Sequence, residues 1–162
     1  MEINIYSLLI AALSTLVVGV VWFHPKVFGT MWMKESGTTP QELKGRNLIW
    51  LFAISLSNAF FMSIVLQFLV IHQYSVLSLT GGDPTKVLPS YTAFMADYGD
   101  AYRTFKHGAL HGFLTGLFMA APIVGTNALY EKRSFKYVLV MSGFWITCFT
   151  IIGGIICSLQ LF

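Results

Sequence analysis

Residues 137–161 read YVLVMSGFWITCFTIIGGIICSLQL, 25 consecutive positions without an Asp, Glu, Lys or Arg. A helix needs about 20 apolar residues to cross the hydrocarbon core of a bilayer. Three further stretches, 5–23, 48–71 and 107–130, have the same uncharged and apolar character. Because backbone groups inside a bilayer must satisfy one another, the sequence predicts an all-α integral membrane protein with four transmembrane helices in a bundle.

The composition excludes a water-soluble globule. The chain has 162 residues, of which 56% are hydrophobic and only 10% are charged, whereas soluble domains are about a quarter charged. The net charge is +3, but the cations lie at the ends of the spans, where lipid phosphates are their natural neighbours. We therefore expect membrane lipids and no nucleic acid as partners, and a single membrane domain covering residues 1–162.

The distribution of positive charge predicts the topology. Seven of the ten Lys and Arg residues lie in the first connection (24–47) and the third connection (131–136). Lys86, Arg103 and Lys106 lie in the second, 72–106. The positive-inside rule places the first and third connections in the cytoplasm. Both termini and the 72–106 loop, called the outer loop below, are then expected on the outer side.

The two longer connections carry apolar side chains that plain solvated loops lack. After the first span, Val27, Phe28 and Met31 alternate with Lys26 and Lys34, which predicts an interfacial segment with its apolar side toward the acyl chains. In the outer loop, aromatic residues between 90 and 105 recur at helical spacing. This pattern predicts an amphipathic helix that can run directly into the third span.

Small residues indicate close helix packing. In the third span Gly108, Gly112, Gly116 and Ala120 recur at every fourth position, a pattern that allows backbones to approach closely. In the fourth span we expect a counterpart made of Gly143, Thr147, Gly154 and Ser158. The partner helix can belong to the same chain or to another copy. Pro122 also predicts a distortion of the third span near residues 118–122.

Histidines at the outer end of the third span suggest a ligand site. His107 and His111 are four residues apart, so both imidazoles lie on one helix face and can reach the same metal ion. His72 ends the second span at the same level, and Asp97 and Asp100 lie in the adjoining loop. These residues can complete a site for Zn²⁺ or another divalent metal. His72 opposite His107 or His111 can alternatively bind a b-type haem iron. The structural alternative is that the histidines only form hydrogen bonds to the outer loop.

Asn58 is the most conspicuous polar residue inside a span. It lies near mid-membrane, so we expect its amide to face another helix and to form an interhelical hydrogen bond there. The four spans contain no carboxylate, which is the group that coupled transporters commonly use to bind their ion. Transport is therefore the less favoured hypothesis for this chain.

Two passages resemble a known family. Residues 22–32 read WFHPKVFGTMW, which resembles the pattern W-Y-x-P-x-x-F-G-x-x-W after the first span of the bacterial membrane proteins classed as domain of unknown function 1761. HGALHG at 107–112, Pro122 and NALYEKRSFKY at 127–137 are similar to the second half of that family. The resemblance implies a four-span protein of the bacterial inner membrane with no established activity. It marks an interfacial turn made of Trp22, Pro25, Phe28, Gly29 and Trp32.

No reaction motif stands out, so the sequence predicts a non-enzymatic protein without a cofactor. The first hypothesis is a homo-oligomer or an accessory subunit of a larger membrane assembly, packed through the glycine stripes. The second is a metal- or haem-binding protein whose site lies at the outer histidines. The third is a small transporter or permeability factor in which Asn58 contributes to the pathway.

Overall fold

A computed structural model of the chain describes residues 3–83 and 85–159. All regular elements in that part are helical, and four of them are long and apolar enough to cross a membrane. The protein is therefore an all-α, multi-pass membrane protein, as predicted from the sequence. The four spans are Ile5–Trp22, Leu48–Val70, Phe105–Tyr130 and Phe135–Leu159. The last span begins two residues earlier than expected, and its predicted end at residue 161 lies outside the described residues.

The first span is helix α1 (Ile5–Trp22) and the second is α4 (Leu48–Val70), with α2 (Thr30–Ser36) and α3 (Pro40–Lys44) between them. The outer loop contains α5 (His72–Ser78) and α6 (Pro89–Tyr98). The third span consists of α7 (Phe105–Thr115), a π-helical turn (Gly116–Ala120) and α8 (Ala121–Tyr130), and the fourth is α9 (Phe135–Leu159).

Polar side chains begin three of the spans. Asn4 accepts hydrogen bonds from the backbone of Tyr6 and Ser7, and Asn47 caps α4 through the backbone N–H groups of Ile49 and Trp50. Thr104 caps α7 by accepting from the backbone N–H of His107. Such caps satisfy amides that have no partner within the helix, so they set where each span starts.

The outer loop differs from its predicted form. The amphipathic helix covers only Pro89–Tyr98, not residues 90–105, and it does not continue into the third span. The physical reason is Tyr102, whose φ of 62° lies in the left-handed region that a right-handed helix excludes. A second helix, α5, begins at His72 because Ile71 is extended, with φ −112° and ψ 96°.

Helix α9 is the centre of the bundle, since it packs against α1, α4, α7 and α8. The buried core lies toward the end of the bundle that carries His72, called the histidine side below. The opposite end, which carries Trp22, is called the tryptophan side. All buried residues of α4 lie from Ala59 onward, so the half of α4 on the tryptophan side is exposed.

The glycine stripe of the third span packs within the chain. A Cβ added at Gly108 or Gly112 would collide with the carbonyl oxygen of Gly153 or Phe149 in α9, and one at Gly116 would come within 2.6 Å of the Cα of Ile146. Ala120 follows at the end of the π-turn and is half-buried. The two helices are thus in backbone contact, which small residues permit.

The surface of α9 that receives the stripe is not the predicted one. Gly143 instead faces the indole of Trp22, and Gly154 faces the ring of Phe105. The hydroxyls of Thr147 and Ser158 donate to carbonyls of their own helix. Gly153 is the residue of α9 that lies opposite Gly108. The spacing of small residues in the sequence did not reveal this position, because it depends on how α9 is rotated against α7.

The π-helical turn at Gly116–Ala120 lies where Pro122 led us to expect a distortion. Proline has no backbone N–H, so the residue four positions before it in an α-helix loses its donor. The π-turn ends just before Pro122, which then lies in the first turn of α8, where a missing N–H is tolerated.

A second π-helical turn, Pro25–Gly29, forms the interfacial turn after the first span. The rings of Trp22 and Phe28 have centroids 4.5 Å apart, and the indole N–H of Trp22 donates to the carbonyl of Val140 at 3.2 Å. Gly29 lies against the Phe23 carbonyl, which leaves no room for a side chain. The Trp32 ring contacts Phe23 edge-on, with centroids 5.4 Å apart.

Candidate functional site

Three histidines converge at the histidine side of the bundle. One nitrogen atom from each of His72, His107 and His111 can be chosen so that all three lie within 4.8 Å of one another. The Nε2 atoms of His72 and His107 are only 3.0 Å apart. The ring centroids of His107 and His111 are separated by 4.5 Å, and those of His72 and His111 by 5.0 Å. The three imidazoles therefore surround one small volume.

Two local features of the chain bring these rings together. His107 and His111 lie one helical turn apart on α7, so their side chains share a face. His72 comes from the break at Ile71, where the chain leaves the second span and starts α5 in a new direction. His72 is exposed and the other two are half-buried, so the cluster can be reached from the aqueous side.

Asp97 and Asp100 do not belong to this cluster. Among the residues that the structure describes, the only group of at least three possible metal ligands is the histidine triad. Asp97 lies on α6, which ends at Tyr98, and the positive φ of Tyr102 prevents one continuous helix from α6 to the histidines of α7. Asp100 instead acts electrostatically on Arg103.

Tyr102 covers one side of the cluster. Its ring stacks on His107 with centroids 5.0 Å apart and planes inclined by 30°. A non-glycine residue with positive φ, here 62°, costs about 1–3 kcal/mol and persists only where its surroundings hold it. The hydrogen bond from the thiol of Cys157 to the carbonyl of Tyr102, at 3.3 Å, is one such restraint.

Further hydrogen bonds fix the loop around the cluster. Arg103 donates from Nε to the carbonyl of Cys157 at 3.2 Å. Gln73, which is 3% exposed, donates from Nε2 to the carbonyls of Tyr98 and Ala101 at 2.8 and 3.0 Å. These bonds connect α5, the outer loop and α9, so the backbone that carries His72 and His107 is held from both sides.

Burial affects the ionisation of two side chains of the outer loop, Arg103 and Tyr74. It lowers the pKa of Arg103, while neighbouring groups, including Tyr74 and Asp100, act in the opposite direction. Arginine retains its proton at physiological pH even when half-buried. Burial also raises the pKa of Tyr74, which therefore remains neutral. The outer loop thus carries a permanent positive charge on Arg103 and a neutral phenol on Tyr74, which influence each other electrostatically.

A cavity of about 430 Å³ lies between α1, α4 and α9, on the tryptophan side of the core. Asn58 lines it and does not form the predicted interhelical hydrogen bond: over residues 3–83 and 85–159, its amide has no hydrogen-bond partner. Asn58 is exposed, on the half of α4 that precedes the first buried residue of that helix, Ala59. Polar side chains of the lining are Thr15, Ser55 and Asn58, and its aromatic ones are Phe23, Phe52, Phe144 and Trp145.

Sequence reasoning did not single out Tyr102, Gln73 or Cys157 as supports of the histidine cluster. Cys157 is a buried free cysteine of the fourth span. Its position in the sequence gives no sign that its thiol and carbonyl face the outer loop. The sequence offers one signal, a glutamine just after the second span at residue 73. In the structure this glutamine is buried and forms side-chain hydrogen bonds that hold the loop.

The chain was compared with known proteins and families. No curated protein and no solved structure matches it. A family model described as "Protein of unknown function (DUF1761)" matches residues 6–157, which include the interfacial turn, the histidine cluster and all but the outermost residues of the four spans. The match extends over nearly the whole sequence, and the protein belongs to the DUF1761 family of proteins of unknown function.

Proposed function

We propose that this protein is a non-enzymatic membrane protein that binds one divalent transition-metal ion through His72, His107 and His111. The observation that carries the proposal is the convergence of three imidazoles, with donor atoms within 4.8 Å of one another, from two separate parts of the chain. Imidazole nitrogen suits Zn²⁺, Cu²⁺ and Ni²⁺, whereas Mg²⁺ and Ca²⁺ prefer oxygen ligands.

The distances support a metal ion. Zinc binds imidazole nitrogen at about 2.0–2.1 Å, so two such ligands in a tetrahedral site lie about 3.3 Å apart. The Nε2 atoms of His72 and His107 are separated by 3.0 Å, so a small movement of either ring would accommodate the ion. Three protein ligands leave a fourth position open for water or another small ligand.

The same distance favours an ion over haem. The two axial ligands of a haem iron face each other across the plane of the macrocycle. A separation of 3.0 Å between the Nε2 atoms of His72 and His107 leaves no space for that plane. Haem binding would therefore require α5, which carries His72, and α7 to move apart.

The excess of Lys and Arg in the first and third connections supports an orientation with the histidine side outward. In the bacterial inner membrane that the family resemblance implies, this is the periplasmic side. Because His72 is exposed there, the ion would enter directly from the aqueous phase. The protein would then act as a metal-binding component at the outer surface.

A second proposal is that the protein works as a homo-oligomer or as an accessory subunit. The stripe of Gly108, Gly112 and Gly116 does not support it, since α9 of the same chain covers that stripe. The supporting observation is the exposed half of α4, from Leu48 to Asn58, which lies outside the core. A native mass spectrum of protein extracted gently from its membrane would test this proposal by reporting copy number and additional subunits.

Calorimetric titration of Zn²⁺ into purified, chelator-treated protein tests the metal proposal. We expect about one ion per chain in the unmodified protein, and at least about 10-fold weaker binding after His107→Ala, His111→Ala or His72→Ala. His24→Asn is the matched control, since His24 lies at the tryptophan side and Asn can keep its cap to the N–H of Lys26. Unchanged affinity in all three alanine variants, or no binding by the unmodified protein, would overturn the proposal.

A further inference from the structure

We propose that the cavity between α1, α4 and α9 binds a lipid-soluble molecule that carries a carbonyl group on a flat ring, of the quinone class. The cavity lies in the tryptophan-side half of the bundle, apart from the histidine cluster, so this inference is independent of the metal proposal. Its volume of about 430 Å³ is within the range of small-molecule sites, which are concave, mainly apolar and provided with a few polar groups.

The polar groups of the cavity lie at its deep end. Asn58 is the eleventh residue of α4, about 15 Å along the helix from Leu48, and Thr15 lies near the middle of α1. Leu51 and Phe23 line the cavity at its end toward the tryptophan side. The cavity therefore extends from mid-membrane over about 10 Å of helix length toward the membrane surface.

The hydrogen-bonding state of these side chains points to a ligand. The hydroxyl of Thr15 donates to the carbonyl of Ala12, so it can only accept a further bond. Ser55 and Asn58 are both exposed, and in the part of the chain that the structure describes neither side chain has a hydrogen-bond partner. An amide facing hydrocarbon without a partner is unfavourable. A ligand that presents a carbonyl oxygen would accept a hydrogen bond from the Asn58 amide and so give this amide a partner.

The depth of Asn58 decides which ligand can do so. The ester carbonyls of a phospholipid lie just beneath the headgroups, and only its acyl CH₂ groups reach the mid-membrane. A phospholipid can thus fill the cavity but cannot pair with the amide. A neutral ring carbonyl on an apolar chain can enter to this depth. The rings of Phe144 and Trp145, with centroids 5.0 Å apart, provide aromatic walls for such a ring.

Gly19 makes the inference testable without disturbing the fold. A Cβ added at Gly19 meets only the ring of Phe144, at 3.9 Å, so a side chain there enters the cavity. Gly125 is the matched control because its added Cβ meets only Val138, at 4.0 Å, and it does not line the cavity. Both are half-buried glycines within spans, so Gly19→Leu and Gly125→Leu change helix propensity alike.

The experiment titrates decylubiquinone into protein held in phosphatidylcholine nanodiscs and follows quenching of tryptophan fluorescence, since Trp145 lines the cavity. We expect saturable quenching in the unmodified protein and in Gly125→Leu. Gly19→Leu should abolish the saturable component, and Asn58→Leu should weaken it about 3- to 10-fold, as expected for loss of one hydrogen bond.

Three results would overturn the inference. Quenching that rises linearly and equally in the unmodified protein and Gly19→Leu would mean that the quinone only partitions into the bilayer and that lipid fills the cavity. A dimer that Gly19→Leu dissociates, without saturable quenching, would mean that a second copy occupies it. Equal affinity in Asn58→Leu and the unmodified protein would show that the amide does not recognise a carbonyl.

Discussion

The thiol of Cys157 donates a hydrogen bond to the carbonyl oxygen of Tyr102, with sulfur and oxygen 3.3 Å apart. The same thiol lies 3.7 Å from the carbonyl of Val70. Val70 precedes His72 by two residues and Tyr102 precedes His107 by five. One side chain of α9 therefore joins the two chain segments that bring the histidines together, so the geometry of the candidate metal centre depends on a residue that is not a ligand.

Replacing Cys157 by alanine should weaken metal binding without removing it. The variant loses the hydrogen bond that holds Tyr102 in its left-handed conformation, so the His107 side of the cluster gains freedom. Cys148→Ala is the matched control, since Cys148 is also a fully buried free cysteine of α9. Titration of Zn²⁺ should show a several-fold loss of affinity for Cys157→Ala alone. An equal loss in both variants would point to a general packing defect.

Replacing either of two buried glutamines, Gln67 and Gln73, by Met should change the free energy of unfolding, but in opposite directions. Gln67 is fully buried, and within the described residues neither atom of its amide group has a hydrogen-bond partner. Gln67→Met should therefore raise the free energy of unfolding by about 1–3 kcal/mol. Gln73→Met should lower it by a similar amount, because it removes the donor that serves Tyr98 and Ala101. Thermal unfolding in detergent would measure both, and a loss of stability in Gln67→Met would contradict the interpretation.

Gly112→Ala should separate α7 from α9. The added methyl group would collide with the carbonyl of Phe149, which we expect to destabilise the protein by about 1–3 kcal/mol, although alanine favours a helix. Gly125→Ala adds the same group in ordinary contact with Val138 and should leave stability unchanged or slightly higher. Melting temperatures in one detergent would compare the two variants, and equal values would refute backbone contact at Gly112.

The interfacial turn should be equally sensitive at Gly29. A methyl group there would meet the carbonyl of Phe23, so Gly29→Ala should open the π-turn and expose Trp22 and Phe28 to the headgroup layer. Gly45→Ala, whose added Cβ lies 3.7 Å from its nearest neighbour, is the control in the same connection. Tryptophan emission and melting temperature should change in Gly29→Ala only. Identical spectra for the two variants would exclude a tight turn at this point.

The orientation can be tested with single engineered cysteines. Both native cysteines are buried, so a membrane-impermeant thiol reagent should label neither. On spheroplasts of the expressing bacterium, we expect labelling of Ser90→Cys in the outer loop and none of Gln41→Cys in the first connection, because positive charge retains that connection inside. Gln41→Cys should become labelled once the membrane is permeabilised. Labelling of Gln41→Cys but not of Ser90→Cys on intact spheroplasts would show that the topology is the opposite of the expected one.

Local features were enough to predict the fold class. Each span consists of uncharged apolar residues over the thickness of a bilayer, and the all-helical architecture follows from the need to satisfy backbone hydrogen bonds there. The shared face of His107 and His111 is equally local, because residues four apart on a helix are neighbours. The distortion before Pro122 follows from the missing N–H of proline.

The outer loop could not be predicted in the same way. Its aromatic spacing was compatible with one long helix, yet the helix ends at Tyr98 and Tyr102 turns the chain. That turn depends on contacts with Cys157, a residue 55 positions away. The exclusion of Asp97 and Asp100 from the histidine cluster follows from this turn and so was not visible in residue spacing.

The sequence by itself determined four membrane spans and the paired histidines of α7, because each depends on neighbours within a few turns. Only the tertiary structure decided that His72 meets His107, that Gly153 receives the glycine stripe, and that Asn58 lines a cavity. These relationships depend on how each helix is rotated and tilted against α9. Rotation and tilt result from side-chain packing along the whole length of the helices, which no local pattern specifies.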